Sequence, residues 1–210
     1  ELAPLGSDDF KLLAEGSEQV VHTDLAALDP DSLANGAYQV RLTAADIGGR
    51  STTINQMVEI NTAAKPGSMQ VTTTDLTASL DGVPIEITRI YSTLNSAQSG
   101  AVGFGWNITG FDAGITTNVP LTGWEHTGVY NPFTGQTRLY INLPDGQRVG
   151  YTFDPTNVEI GSQVFYRPAW TADPGVEYTL TTADAILDLV QGRFYQKGTG
   201  LAYNPAAGWF

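Results

Sequence analysis

The stretch Asn35-Gly36-Ala37-Tyr38-Gln39-Val40-Arg41-Leu42-Thr43-Ala44 decides the fold class of this chain. Apolar residues occupy every second position from Tyr38 to Leu42, which is the pattern of a strand that buries one face. Gly48-Gly49 follows the stretch, and a second strand pattern runs from Thr53 to Ile60. Turn residues between two such stretches predict a β-hairpin with one apolar face.

The rest of the chain shows the same pattern of short strands and turns. Short runs of Thr, Val, Ile, Tyr and Trp are interrupted by 23 Gly and 11 Pro, and this spacing predicts an all-β protein. Asp24 to Leu33 has some helical spacing, but Asp29-Pro30 interrupts it, so we expect only a short turn there. We expect Ala183 to Val190 to form a buried strand.

A polar joint separates two strand-rich regions. Asn61 to Ser68 contains small residues and a Pro-Gly pair, so we place a domain boundary near residue 64, between regions 1–64 and 65–210. A complete immunoglobulin-like module needs about 100 residues. The first region is shorter, so we expect upstream chain or a neighbouring copy to supply its missing strands.

Composition excludes several functions. The 210 residues carry 10 basic and 22 acidic side chains, a net charge of −12 that repels nucleic acids and anionic lipid surfaces. No apolar run is long enough for membrane insertion. The chain has no Cys and only two histidines, so thiolate chemistry is excluded and histidine ligands are few.

Several features suggest the surroundings of the protein. The chain starts at Glu1 without a Met or a signal peptide, so we expect it to be processed or excised from a longer protein. Its acidity, abundant Thr and low Lys content favour a secreted or cell-surface location.

The first region resembles part of a bacterial immunoglobulin-like or fibronectin-type module. The resemblance rests on the strand Gly36-Ala37-Tyr38-Gln39-Val40-Arg41-Leu42 and on the turn that follows, with Asp46 and Gly48-Gly49. It implies a partial β-sandwich, in which a buried Tyr38 anchors one corner.

The second region, residues 65–210, resembles the N-terminal flank of proteins of the RHS/YD-repeat family. The motifs that carry the resemblance are Asp75-Leu76-Thr77, Gly82-Val83-Pro84-Ile85-Glu86-Ile87-Thr88-Arg89-Ile90-Tyr91-Ser92, Gly103-Phe104-Gly105-Trp106, Pro144-Asp145-Gly146-Gln147-Arg148 and Tyr203-Asn204-Pro205. The resemblance implies an antiparallel β region that opens a shell. The chain contains no Tyr-Asp dipeptide, so the similarity is to the segment that precedes the repeats.

The resemblance implies a structural role, and the residues show no convergent nucleophile, base and orienting group. We expect a non-enzymatic segment of a large bacterial-type protein that scaffolds display, adhesion or toxin encapsulation. Its partners would be further domains of the same polypeptide or neighbouring copies. Asp173-Pro174-Gly175 lacks the spacing and position of the family's self-cleavage sequence, so no protease role transfers to it.

No catalytic, cofactor or metal site is expected. No Gly-x-Ser-x-Gly elbow occurs, and a structural or exposed role is expected for both histidines. Asp29, Asp31 and Asp46 lack the spacing of a calcium loop, which favours turn formation. The remaining candidates are the two histidines and the carboxylate pairs of glycoside hydrolysis: His22 and His126, Asp8 with Asp9, Asp29 with Asp31, and Asp184 with Asp188.

Two alternatives to the structural role remain. A glycan-binding module would align exposed aromatic side chains on one face, namely Trp124, Tyr130, Trp170 and Trp209. A self-assembling filament subunit would pair its open strand edges between copies. In the motif Gly103-Phe104-Gly105-Trp106, we expect the glycines to allow close backbone approach and both aromatic rings to be buried.

Overall fold

The computed structural model describes residues 1–18, 20–111 and 113–207, and it confirms the all-β prediction. The 3-10 helical turns are Pro30–Ser32, Thr93–Asn95, Glu125–Thr127 and Pro205–Ala207. The strands are β1 (Leu2–Pro4), β2 (Gly36–Ala45), β3 (Ser51–Ile60), β4 (Gln70–Leu80), β5 (Val83–Ser92), β6 (Ser99–Gly100), β7 (Gly103–Phe104), β8 (Trp106–Ile108), β9 (Thr116–Thr117), β10 (Arg138–Asn142), β11 (Arg148–Phe153), β12 (Thr156–Ile160), β13 (Gln163–Arg167), β14 (Trp170–Ala172), β15 (Leu187–Val190) and β16 (Arg193–Gln196).

The strands form antiparallel sheets. The first sheet has the order β1-β2-β3, and the second has the order β4-β5-β8, with β6-β7 as a separate ribbon. The C-terminal part contains two four-stranded sheets, β14-β11-β10-β9 and β12-β13-β15-β16. Among the described residues, no helix has the length and apolarity needed to cross a bilayer.

Other side chains cover one end of the first sheet, its base near Tyr38, whereas the opposite end, its tip near Leu42, is exposed to solvent. At the base, Tyr38 is buried and its hydroxyl donates a 2.8 Å hydrogen bond to the carbonyl oxygen of Ala34, four residues upstream. Side chains from the preceding loops pack over this base. Towards the tip, Leu42 and Ile54 face each other across the hairpin and are exposed. The region's own N-terminal chain therefore covers only part of the apolar face.

Aromatic side chains form the core between the two C-terminal sheets. Phe153 is fully buried, and its ring centroid lies 5.3 Å from that of Trp170, 5.3 Å from that of Phe194 and 5.4 Å from that of Tyr203. Leu187 is also buried here, and β15 confirms a strand over the second half of the range expected from Ala183 to Val190. Residues 183–186 form no strand, and Leu189 and Val190 are exposed, so the prediction of a buried strand over the whole range is wrong. A single aromatic cluster thus holds two separate sheets together.

The segment around Trp106 corrects one prediction. Phe104 is 67% exposed and lies in the two-stranded ribbon β6-β7, which pairs with no further strand among the described residues. Trp106 is only half-buried, with its ring centroid 5.4 Å from that of Tyr91. The predicted close approach occurs at Gly105, where an added β carbon would lie 2.6 Å from the Tyr91 ring. The glycine prediction is therefore right at Gly105 but not at Gly103, where an added β carbon would lie 3.9 Å from Trp106, and the expected burial of both aromatic rings is wrong.

Candidate interaction surfaces

The candidate catalytic residues have other contacts. Both histidines are exposed, and the ring of His126 stacks on Trp124 at 6.0 Å. Within the described residues, no hydrogen bond or ion pair joins either histidine to a carboxylate. Asp29 accepts a hydrogen bond from the backbone of Asp31, and Asp46 accepts them from Gly48 and Arg50. These aspartates therefore serve turns, and the described residues contain no metal-ligating group of three or more His, Cys, Asp or Glu.

A buried arginine joins the first sheet to the C-terminal part of the chain. Arg138 of β10 donates hydrogen bonds of 2.7 and 2.6 Å to the carboxylate of Asp173, and one of 2.8 Å to Glu59 of β3. Its side chain is only 12% exposed. Asn61 also donates a 3.0 Å hydrogen bond to Asp173, and the Tyr140 hydroxyl donates to Glu59. We call these five residues the Arg138 junction.

The pKa values in the Arg138 junction follow from burial and pairing. Burial raises the pKa of the Asp173 carboxyl, but the hydrogen bonds from Arg138 and Asn61 outweigh it, so the net pKa lies below its usual value. Burial also raises the pKa of the Tyr140 hydroxyl, and its hydrogen bond to Glu59 adds to the effect. Tyr140 is therefore protonated at neutral pH and acts as a donor within the junction.

A second arginine makes a parallel connection with neutral partners. Arg148 of β11 donates hydrogen bonds of 2.6 Å to the carbonyl oxygens of Asn35 and Gly114, and others of 2.8 Å to Asn142 and 2.7 Å to Thr116. Burial lowers the pKa of its guanidinium to about 10, since none of these partners is charged. Both arginines form hydrogen bonds with residues at the end of the first sheet, so contacts cross the predicted domain boundary near residue 64. The boundary remains a prediction.

Sequence reasoning missed both arginines. Arg138 pairs with Thr152, and Arg148 pairs with Asn142, so the two guanidinium groups lie on the same face of the β10–β11 hairpin. The sequence signal that could have found them is the presence of two arginines on neighbouring strands of a chain with few basic residues. The opposite face carries the apolar cluster that includes Leu139 and is buried.

A glycine leaves the space for this junction. An added β carbon at Gly150 would lie 2.6 Å from Nη2 of Arg138 and 3.0 Å from the Tyr140 ring. We expect Gly150→Ala to lower the free energy of unfolding by about 2 kcal/mol, because the ion pair with Asp173 must shift. Chemical denaturation measures the change. Gly135→Ala is the matched control, because nothing lies within 4 Å of that β carbon. Equal effects of the two substitutions would contradict the close packing.

The β4–β5 hairpin carries an uncovered apolar face. Leu76, Leu80, Val83 and Ile85 lie on one side of the hairpin and are all exposed, Leu80 by 65% and Val83 by 62%. The other side is polar and rich in Thr, as alternation requires. Strand β4 is also an edge strand, since only β5 pairs with it. This hairpin therefore leaves an apolar face in solvent, as the tip of β2–β3 does in the first sheet.

A groove of about 700 Å³ lies at the C-terminal part of the chain. One wall is the turn that ends at Tyr130, and the other is the loop around Leu201. Segment 182–185 and the chain from Tyr203 to Pro205 complete the lining. We call this feature the Tyr130 groove.

The described aromatic residues of the glycan-binding alternative are not all exposed. Trp170 is only partly exposed and packs against Phe133 and Phe153, because β14 places it over the aromatic core. Trp124 is exposed, whereas Tyr130 is half-buried in the groove wall. Trp209 lies outside the described residues. A glycan site built on all of these rings is therefore not supported.

No family model matches this chain, and neither a curated protein nor a solved structure matches it.

Proposed function

We propose that this chain is a non-enzymatic structural segment of a large secreted or cell-surface protein of bacterial type. The role is to scaffold display, adhesion or toxin encapsulation, as its resemblance to the flank of RHS/YD-repeat proteins implies. We also propose that the first region is part of an immunoglobulin-like module. The observation that carries the proposal is the uncovered apolar face of the β4–β5 hairpin.

An isolated two-stranded hairpin is at best marginally stable in water. The outer half of β4–β5, from Leu76 to Ile87, has no third strand, because β8 pairs only with the stretch from Arg89 to Tyr91. A large exposed apolar patch marks an interaction site. The apolar face of the hairpin is therefore stable only when something packs against it. Another apolar sheet face or a further strand would bury it.

Further β structure of the same polypeptide is the occupant that fits best. A second copy would bring another net charge of −12 close to the first and would be repelled. A strand tethered in the same chain needs no bimolecular association. The filament alternative requires copies to associate despite this repulsion.

The proposal is tested on the isolated 210-residue chain. We expect a monomer by light scattering at all concentrations, and strong fluorescence of an apolar dye bound to the hairpin. The double substitution Val83→Thr with Ile85→Thr should reduce dye fluorescence by roughly half, since it removes apolar surface. Thr77→Ser with Ser79→Thr, on the polar face, is the matched control and should leave the signal unchanged.

Two results would contradict this proposal. One is the formation of oligomers that grow with protein concentration and disappear in the double variant Val83→Thr with Ile85→Thr. This result would establish the filament alternative instead. Turnover of an ester, peptide or glycoside substrate that is lost on replacing His22, His126, Asp173 or Asp184, in a variant that circular dichroism shows to be folded, would show an enzyme.

A further inference from the structure

Hydrogen bonds hold the chain segments that line the Tyr130 groove. The chain at its base is held by backbone hydrogen bonds of 2.9 Å from Phe133 to Tyr203 and from Tyr203 to Phe194. The Nδ2 group of Asn204 donates a 2.9 Å hydrogen bond to the carbonyl oxygen of Asn131, which fixes the wall that carries Tyr130. Its volume of about 700 Å³ lies within the range of small-molecule sites.

The lining combines apolar surface with uncommitted polar groups. Val129 and Leu201 are exposed and line the groove, and the half-buried Tyr130 is also part of the lining. Within the described residues, neither the Tyr130 hydroxyl nor the side-chain amide of Gln196 makes a hydrogen bond. These groups offer a donor and acceptor pair next to apolar walls.

The charge of the lining selects against anions. Asp184 is the charged residue among the described lining residues, and its carboxylate is largely exposed, 3.7 Å from Arg167 at its closest. No Lys or Arg lines the groove in the described part of the chain. A carboxylate accepts hydrogen bonds from hydroxyl groups but repels an acidic ligand.

We propose that the Tyr130 groove binds a neutral saccharide of one or two sugar units. The apolar C–H faces of a sugar ring pack on Tyr130 and Leu201, and its hydroxyls reach Asp184 and Gln196. This site is independent of the hairpin surface and of the structural role proposed above. It also differs from an exposed aromatic platform, because the ring of Trp124 is not part of the groove lining.

The groove contains a built-in spectroscopic reporter. The Thr182 hydroxyl lies 3.1 Å from the Tyr203 hydroxyl and accepts a 3.5 Å hydrogen bond from the indole of Trp170. Thr182 lines the groove, so a bound ligand changes the surroundings of this indole. Binding should therefore shift the tryptophan emission, and Trp170→Phe should remove that shift while calorimetry still detects binding.

The experiment titrates the full chain with maltose, cellobiose and lactose by calorimetry and fluorescence, with N-acetylneuraminic acid as the anionic comparison. We expect a dissociation constant of about 1 mM for at least one neutral disaccharide and no binding of the acid. Tyr130→Ala should weaken binding about tenfold, and Asp184→Asn about threefold. Trp124→Ala is the matched control, since it removes an exposed ring on the same loop, and it should leave the affinity unchanged.

Three results would overturn the proposal. These are no binding of any of the three neutral disaccharides, equal or tighter binding of N-acetylneuraminic acid, and loss of binding in Trp124→Ala with retention in Tyr130→Ala. Asp184 is exposed, so Asp184→Asn keeps the test valid if Tyr130→Ala fails to fold. An unchanged affinity in Asp184→Asn would then contradict the site. The oligomeric state and the dye response of the hairpin are read separately, so failure here is distinguishable from failure of the structural role.

Discussion

Replacing Arg138 by methionine is expected to lower the free energy of unfolding by about 3 kcal/mol. The substitution keeps an extended apolar stem but removes the cation that lies between Asp173 and Glu59. Asp173 then keeps a largely buried carboxylate without its main partner, which is the costly case for a broken ion pair. Glu59 is more exposed, so water compensates part of its loss.

Urea denaturation measures this effect, with Arg50→Met as the matched control. The Arg50 side chain is 89% exposed in its ion pair with Asp46, so its replacement should cost less than about 1 kcal/mol. Equal losses in the two variants would show that the Arg138 junction contributes no more than a surface ion pair.

The Arg138 junction also predicts a pH dependence. The pKa of Asp173 is lowered in the folded protein, so its stabilising contribution is present above the unfolded value of about 3.9 and is lost as the pH falls through the folded pKa. In Arg138→Met, only the hydrogen bond from Asn61 still opposes burial, so the pKa of Asp173 should lie above its wild-type value. The stability difference between wild type and variant should therefore narrow below about pH 4. A difference that stays constant between neutral and acidic pH would rule out this coupling.

Replacing Phe153 by alanine is expected to lower the free energy of unfolding by about 3–5 kcal/mol. Phe153 is fully buried, and its ring contacts aromatic side chains from β14, from β16 and from the chain near Tyr203. Truncation leaves a cavity between two sheets that backbone hydrogen bonds hold in place, so the neighbours cannot collapse into it fully.

Phe104→Ala is the control for Phe153→Ala. It deletes the same ring from an exposed position, and the free energy of unfolding should change by less than about 0.5 kcal/mol. Thermal and urea unfolding of both variants compares them directly. A loss at Phe104 as large as that at Phe153 would mean that the exposed ribbon is covered in solution.

The candidate surfaces differ in how much of them local sequence could predict. The alternation that marks β4 and β5 as strands also sets Leu80 and Val83 on one face, because cross-strand partners share a side. The Tyr130 groove has no such signal. Its lining comes from chain segments around residues 130, 184 and 201, and no sequence period connects them.

Local sequence by itself determined the all-β class and several of the strands and turns. The hairpin β2–β3 and the Pro144-Asp145-Gly146 turn between β10 and β11 agree with the patterns, because alternation and turn chemistry act over only a few residues. Only the tertiary structure decided which apolar faces are covered and where the charged groups go. Leu42 and Tyr38 share a strand face, yet only Tyr38 is buried, since side chains from loops outside the hairpin cover the base and not the tip. Arg138 likewise meets Glu59 across 79 residues of chain, and a contact of that range depends on how whole sheets pack, which no local pattern encodes.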